Sequence, residues 1–276
     1  MVNFNRLFSQ LFKQKSKTTY FIFMIQLATV LVISFFFIFK STFKSLIGFL
    51  MAVIALIIGT SFIAEFIYLI ITSWQNEKIN RSQTWRLAPM SAGKIYLDNT
   101  LSSFVAYMYL FVLQVISCLL LVGLSYSISG QFRHAINTGF GHLTKDDIWI
   151  NMAWSSINWT LVLESFVFFI LLSLAFYITV SFFNFSTRSI IDFLPGMSSR
   201  FVVGLVRLIL IGLICWLIIE ILQVLPEDTM FSSQIGNGND VWYMARLLIE
   251  FLIFDVVFGS INVGLVDKFV EAKQNN

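Results

Sequence analysis

Charge, proline, cysteine and histidine are all scarce in this chain of 276 residues. Charged residues make up 12% of it, against about 25% in soluble domains. That shortage excludes a soluble globular protein, because too few polar groups remain to cover a surface. There are three prolines, at Pro89, Pro195 and Pro226, and each lies between apolar runs, as a helix stop should. The two cysteines, Cys118 and Cys215, fall inside apolar runs without metal-ligand spacing or a disulfide context, and read as small buried hydrophobes. The two histidines, His134 and His142, lie near Asp146 and Asp147, but the spacing matches no metal site. No metal and no cofactor is expected.

Several motifs are missing as well. "AGKIY" at 92–96 has Gly93 and Lys94, but lacks the first glycine and the hydroxyl of a phosphate-binding loop, so the chain has no ATP site of that kind. Neither a serine-protease elbow nor H-E-x-x-H occurs. No span carries the regular arginines of a voltage sensor, and no potassium-filter sequence is present. The net charge of +3 gives no reason to expect nucleic acid. No enzymatic activity is expected.

What is abundant is apolar. Hydrophobic residues make up 58% of the chain, with 31 phenylalanines, which read as filling lipid-facing positions. A membrane-crossing helix needs about 20 mostly apolar residues, and six windows qualify: Tyr20 to Phe39, Leu46 to Trp74, Leu101 to Ser125, Leu161 to Asn184, Phe201 to Leu225 and Trp242 to Leu265. Their continuous runs favour helices over the alternating strands of a barrel. The expected fold is an all-α integral membrane protein of six transmembrane helices, with residues 19–276 as its membrane domain. The first span is too long, and too far from a small-residue cleavage site, to be a signal peptide.

Lys and Arg set the expected orientation. Twelve fall on one side: Arg6, Lys13, Lys15, Lys17, Lys78, Arg81, Arg86, Lys94, Arg188, Arg200, Lys268 and Lys273. Lys40, Lys44, Arg133 and Lys145 fall on the other. The richer side should be cytoplasmic, with both termini inside. Residues 1–18 read as an amphipathic helix lying on the membrane. Phe4, Leu7, Phe8, Leu11 and Phe12 form one stripe, and Arg6, Lys13 and Lys15 are placed to meet anionic headgroups. The longest outer segment, 126–160, has loop chemistry, then a capping box at Thr144 and Asp147. Trp149, Trp154 and Trp159 suit the outer interface.

Ionisable residues inside spans are costly and often functional. Glu65, Arg207 and Asp255 come out at similar depth, about 10–15 Å from the cytoplasmic edge at 1.5 Å per residue, so Arg207 could neutralise one acid or both. Arg246 and Glu250, four apart, can pair on one helix face.

The cytoplasmic connection 76–99 reads "NEKINRSQTWRLAPMSAGKIYLDN". Span 2 is expected to continue as helix to about Leu87, where Pro89 forces a turn, and Ser91 can cap the next helix. Trp85, Leu87 and Met90 would then stand at a tip rimmed by Arg81, Arg86 and Lys94, a docking surface for a protein.

In order, Glu77, Ser82, Thr84, Leu87, Pro89, Ser91, Ile95 and Leu101 resemble the span 2–3 connection of the ABC-2 type permeases, the membrane subunits of bacterial ABC exporters. The six-span layout, the interfacial helix and the inside termini are similar too. The chain departs from the pattern at Asp98 and Asn99, where a lysine is common, and in placing its longest outer segment between spans 3 and 4. The resemblance implies a protein of the bacterial cytoplasmic membrane, surrounded by lipid, in which two permease chains pair as homodimer or heterodimer over separate ABC ATPase subunits. Glu77, Arg81, Thr84, Trp85, Arg86, Leu87, Pro89, Met90 and Ser91 would form the coupling element on the ATPase. The cargo would be amphipathic: a peptide such as a bacteriocin, a drug, or a lipid-like molecule. The alternative reading is an immunity or scaffold protein without transport activity.

Overall fold

Long apolar runs leave the peptide groups no partner but one another, so each run closes its hydrogen bonds within a helix. The computed structural model describes residues 4–43, 45–80, 82, 90–134, 159–193 and 240–268, with 204–205, 208–209, 211–213 and 216. Five long helices result: α1 Phe4–Phe39, α2 Leu46–Asn80, α3 Ala92–Ile128, α4 Trp159–Phe193 and α5 Asp240–Lys268. No strand occurs among the described residues. All five contain a stretch long and apolar enough to cross a membrane, which fits a multi-pass membrane protein. They enclose the expected spans 1, 2, 3, 4 and 6. Most of the expected fifth span, 201–225, lies outside the described residues, and those described within it are helical.

Local chemistry sets the ends. Ser41 closes α1 in the left-handed region at φ 47°. The Thr42 N–H donates to Phe37 O at 3.1 Å and the Ser41 N–H to Ile38 O at 3.0 Å, the paired bonds of a Schellman ending. Ser45 opens α2, with its Oγ accepting from the Gly48 N–H at 3.2 Å and its carbonyl from Phe49 at 3.2 Å. Ser91 stands at the cap position of α3, its carbonyl accepting from the Ile95 N–H at 3.2 Å.

The structure differs from the sequence expectations at several places. The start of the outer segment, expected as loop, is helical at 126–128 and again at 130–134, and 135–158 lie outside the described residues. Helix α2 stops at Asn80 rather than near Leu87, and the Ser82 N–H turns back to Ile79 O at 3.0 Å. One face of its last turns is buried through Ser73, Asn76, Glu77, Ile79 and Asn80, while Trp74 and Lys78 on the other are exposed. Residues 4–18 form no separate helix but run unbroken into the span as α1. Lys15, expected at the headgroups, is buried. The reason is periodicity: Leu7, Leu11, Lys15, Thr19, Ile22, Gln26 and Val30 are all buried, one stripe at spacings of four and three.

Two compact units partition the chain: residues 1–11, 73–104 and 159–276 in one, and 12–72 and 105–158 in the other. In the second, α1 and α2 pack antiparallel through Thr19 with Tyr68, Gln26 with Ser61, and Val30 with Val53 and Ile57. Helix α3 runs parallel to α1, with Tyr20 against Tyr109 and Gln26 against Gln114. Gln114 Nε2 donates to Gln26 Oε1 at 2.9 Å, and Gln26 Nε2 to Ser61 Oγ at 2.9 Å, tying three helices with side-chain amides.

In the first unit, α4 and α5 pack side by side. Phe168 meets Phe251, Ile178 meets Asn262, and Tyr96 of α3 joins Phe185 to Val266. Numbers rise together along α4 and α5, so these two helices are parallel. The beginning of α3 packs antiparallel to both.

Candidate functional site

The site lies in the first unit, where the end of α2 and the start of α3 are held by buried polar side chains. Asn99 Nδ2 donates to Asn76 O and to Asn80 Oδ1, both at 3.0 Å. Ser103 Oγ donates to Asn76 Oδ1 at 2.7 Å. These residues stand four apart on each helix, so each pair shares a face. Glu77 extends the net to α4, accepting from Ser181 Oγ at 3.1 Å. Asn262 of α5 donates to Tyr96 Oη at 3.0 Å and to Ile178 O at 2.9 Å, joining α3, α4 and α5 through one side-chain amide.

The first turn of α3 has a further tie. A helix start leaves N–H groups without partners inside the helix, and Asp267 Oδ1 of α5 accepts from the Gly93 N–H at 2.8 Å. A carboxylate there also meets the positive end of the helix dipole. Gly93 is what lets α5 come this close: a Cβ at that position would stand 2.8 Å from Val263 Cγ1 and 3.0 Å from Asp267 Oδ2.

Beside this net lies a cavity of about 500 Å³. Its walls come from α3 (Tyr96, Thr100), α4 (Leu174, Ile178) and α5 (Asp255, Gly259). The surface is almost wholly apolar. Among the described residues Asp255 is the only carboxyl in the lining. It is 9% exposed, and neither of its oxygens has a hydrogen-bond partner among the described residues.

The residues expected from sequence fare as follows. Glu77 is buried in the polar net. Met90 is half-buried against Leu7, Leu11, Ile79 and Ile95. Ser91 is exposed. Arg81, Thr84, Trp85, Arg86, Leu87 and Pro89 lie outside the described residues, as does Arg207. Glu65 belongs to the second unit, where the Tyr107 hydroxyl donates to its carboxylate. Asp255 stands in the first. The Arg246–Glu250 pair forms at 3.0 Å. Among the described residues no group of three metal-ligating side chains occurs.

Sequence reasoning missed Asn76, Asn80, Asn99 and Ser103, the Gly93–Asp267 bond, and the buried Glu164 in α4. The first four carry a readable signal, small polar residues at i and i+4 on both sides of one connection. Gly93 and Asp267 are 174 residues apart, and no local pattern joins them.

No protein-family model, curated protein or solved structure matches the chain.

Proposed function

We propose that the chain is the membrane subunit of an ATP-driven exporter of the ABC-2 type, set in a bacterial cytoplasmic membrane with both termini inside. A separate ABC ATPase seats on residues 81–91 of the connection, two permease chains pair, and an amphipathic cargo moves outward. The observation that carries this reading is the anchoring of that connection at both ends. On one side Asn76, Glu77 and Asn80 bind α3 and α4. On the other, Gly93 and Tyr96 bind α5. A push delivered to 81–91 would therefore reach α4 and α5 through short hydrogen bonds as well as along α2 and α3. A chain without its own phosphate-binding loop needs such a mechanical input.

The parallel packing of α4 and α5 supports six spans. Two parallel membrane helices require the chain between them to cross back. The apolar stretch Phe201 to Leu225 is long enough to do so.

The test is co-purification. The tagged chain is extracted gently from native membranes beside a Trp85→Asp/Leu87→Asp variant, and partners are identified by mass spectrometry. An ABC ATPase should accompany the wild type and be lost from the variant. If no ATPase accompanies the wild type, the export reading fails and a scaffold or immunity role replaces it.

A further inference from the structure

We infer that the cavity between α3, α4 and α5 binds a lipophilic organic cation, a small apolar body bearing one ammonium group, with Asp255 as its counter-ion. The inference concerns this chain alone and goes beyond the export reading, since binding needs no ATPase.

Three observations carry it. The volume, about 500 Å³, falls within the roughly 300–1,000 Å³ of small-molecule sites. The walls, from Leu174, Ile178 and the Gly259 backbone, suit an apolar body. The carboxylate is nine-tenths buried with both oxygens unbonded among the described residues. A buried carboxylate in apolar surroundings is costly until a counter-charge or donor reaches it. An ammonium supplies both, donating N–H bonds to oxygens that otherwise have none. The other hydroxyl-bearing residues of the lining, Tyr96, Thr100 and Ser260, add dipoles but no competing charge. An anion would meet the carboxylate's repulsion, and a neutral ligand would leave its charge uncompensated. The site is thus selective by sign as well as by size.

The test uses the purified full chain in lipid nanodiscs and dansylcadaverine, a primary ammonium on an apolar tail carrying an environment-sensitive dye. Its N-acetyl derivative is the neutral control. Saturable binding is expected in the wild type. Asp255→Asn, which keeps shape and removes charge, should weaken it at least about 30-fold. Gly259→Leu keeps the charge and adds bulk at a residue of the cavity wall, where among the described residues a Cβ comes within 4 Å of Ile178 Cδ1 alone, at 3.8 Å. It should abolish binding while gel filtration and helical circular dichroism stay unchanged. The neutral derivative should bind weakly and equally to wild type and Asp255→Asn. The inference is overturned if the wild type shows no saturable binding, or if Asp255→Asn binds as well as wild type. It is equally overturned if binding appears only in Arg207→Leu, for then Arg207 is the carboxylate's resident partner.

Discussion

Gly93→Ala should destabilise the protein although it adds a single methyl and favours helix by intrinsic propensity. In an open helix the change would stabilise by up to about 1 kcal/mol. Here the new Cβ would sit 2.8 Å from Val263 Cγ1 and 3.0 Å from Asp267 Oδ2, closer than van der Waals contact permits. Either α5 retreats and lengthens the 2.8 Å bond from the Gly93 N–H to Asp267, or Val263 leaves its rotamer. Overpacking of this kind costs about 1–3 kcal/mol. In chains of 150–250 residues each kcal/mol lowers Tm by roughly 2–4 °C, so a fall of several degrees is expected. The assay is thermal unfolding in detergent, followed by gel filtration of the remaining monodisperse protein. Val263→Ala removes the nearest methyl, so Gly93→Ala should cost at least about 1 kcal/mol less in that background. Two companions separate the steric effect from the bond. Asp267→Ala loses the hydrogen bond and the dipole interaction, for about 1–2 kcal/mol. Asp267→Asn keeps an acceptor and loses only the charge, for about 0.3–1 kcal/mol. A Gly93→Ala protein as stable as wild type would refute the close approach of α5, and a loss that Val263→Ala does not relieve would place the clash at Asp267 Oδ2 instead.

Asn99→Leu removes two buried bonds and leaves Asn76 O and Asn80 Oδ1 without that donor; a loss of about 2–3 kcal/mol is expected in the same melt. Gln114→Leu unties α3 from Gln26 and Ser61 and should cost about 0.6–2 kcal/mol, the range for side-chain bonds between membrane helices; no loss would show that Gln26 and Ser61 suffice. Arg246→Ala should change stability by less than about 0.5 kcal/mol, because the Arg246 side chain is 55% exposed and exposed i,i+4 pairs contribute little. A larger fall would mean that Arg246 holds something besides Glu250.

Five of the six expected apolar helices are legible because a bilayer demands continuous apolar helix, and α1 to α5 enclose those five runs. Leu46 begins α2 as expected, and Phe39 ends α1 as expected. The structure departs from expectation where a residue's helix face, rather than its chemistry, decides its burial. Lys15 reads as a headgroup ligand until Leu11 and Thr19, four residues to each side, are seen to be buried with it. The end of α2 read as a solvated extension because Asn76, Glu77 and Asn80 are polar. They are polar because they bind Asn99, Ser103 and Ser181 in a buried net. Asp98 and Asn99 stood out only as departures from a family pattern, yet Asn99 holds the net together. Long-range partners such as Gly93 and Asp267 leave no periodic trace, since neither has a helical neighbour that marks it. Asp255 was visible as a costly charge, but its cavity depends on how α3, α4 and α5 pack, which composition does not encode.

The central claim is that the connection between α2 and α3 seats on an ATPase. It is tested most directly by placing a photoreactive amino acid at position 85, irradiating intact cells, and identifying the cross-linked product by mass spectrometry. The account predicts a single adduct with an ABC ATPase subunit, absent when the photoreactive group is moved to position 128 at the far end of α3. Adducts with lipid alone, or with a membrane protein that has no nucleotide-binding motif, would contradict it.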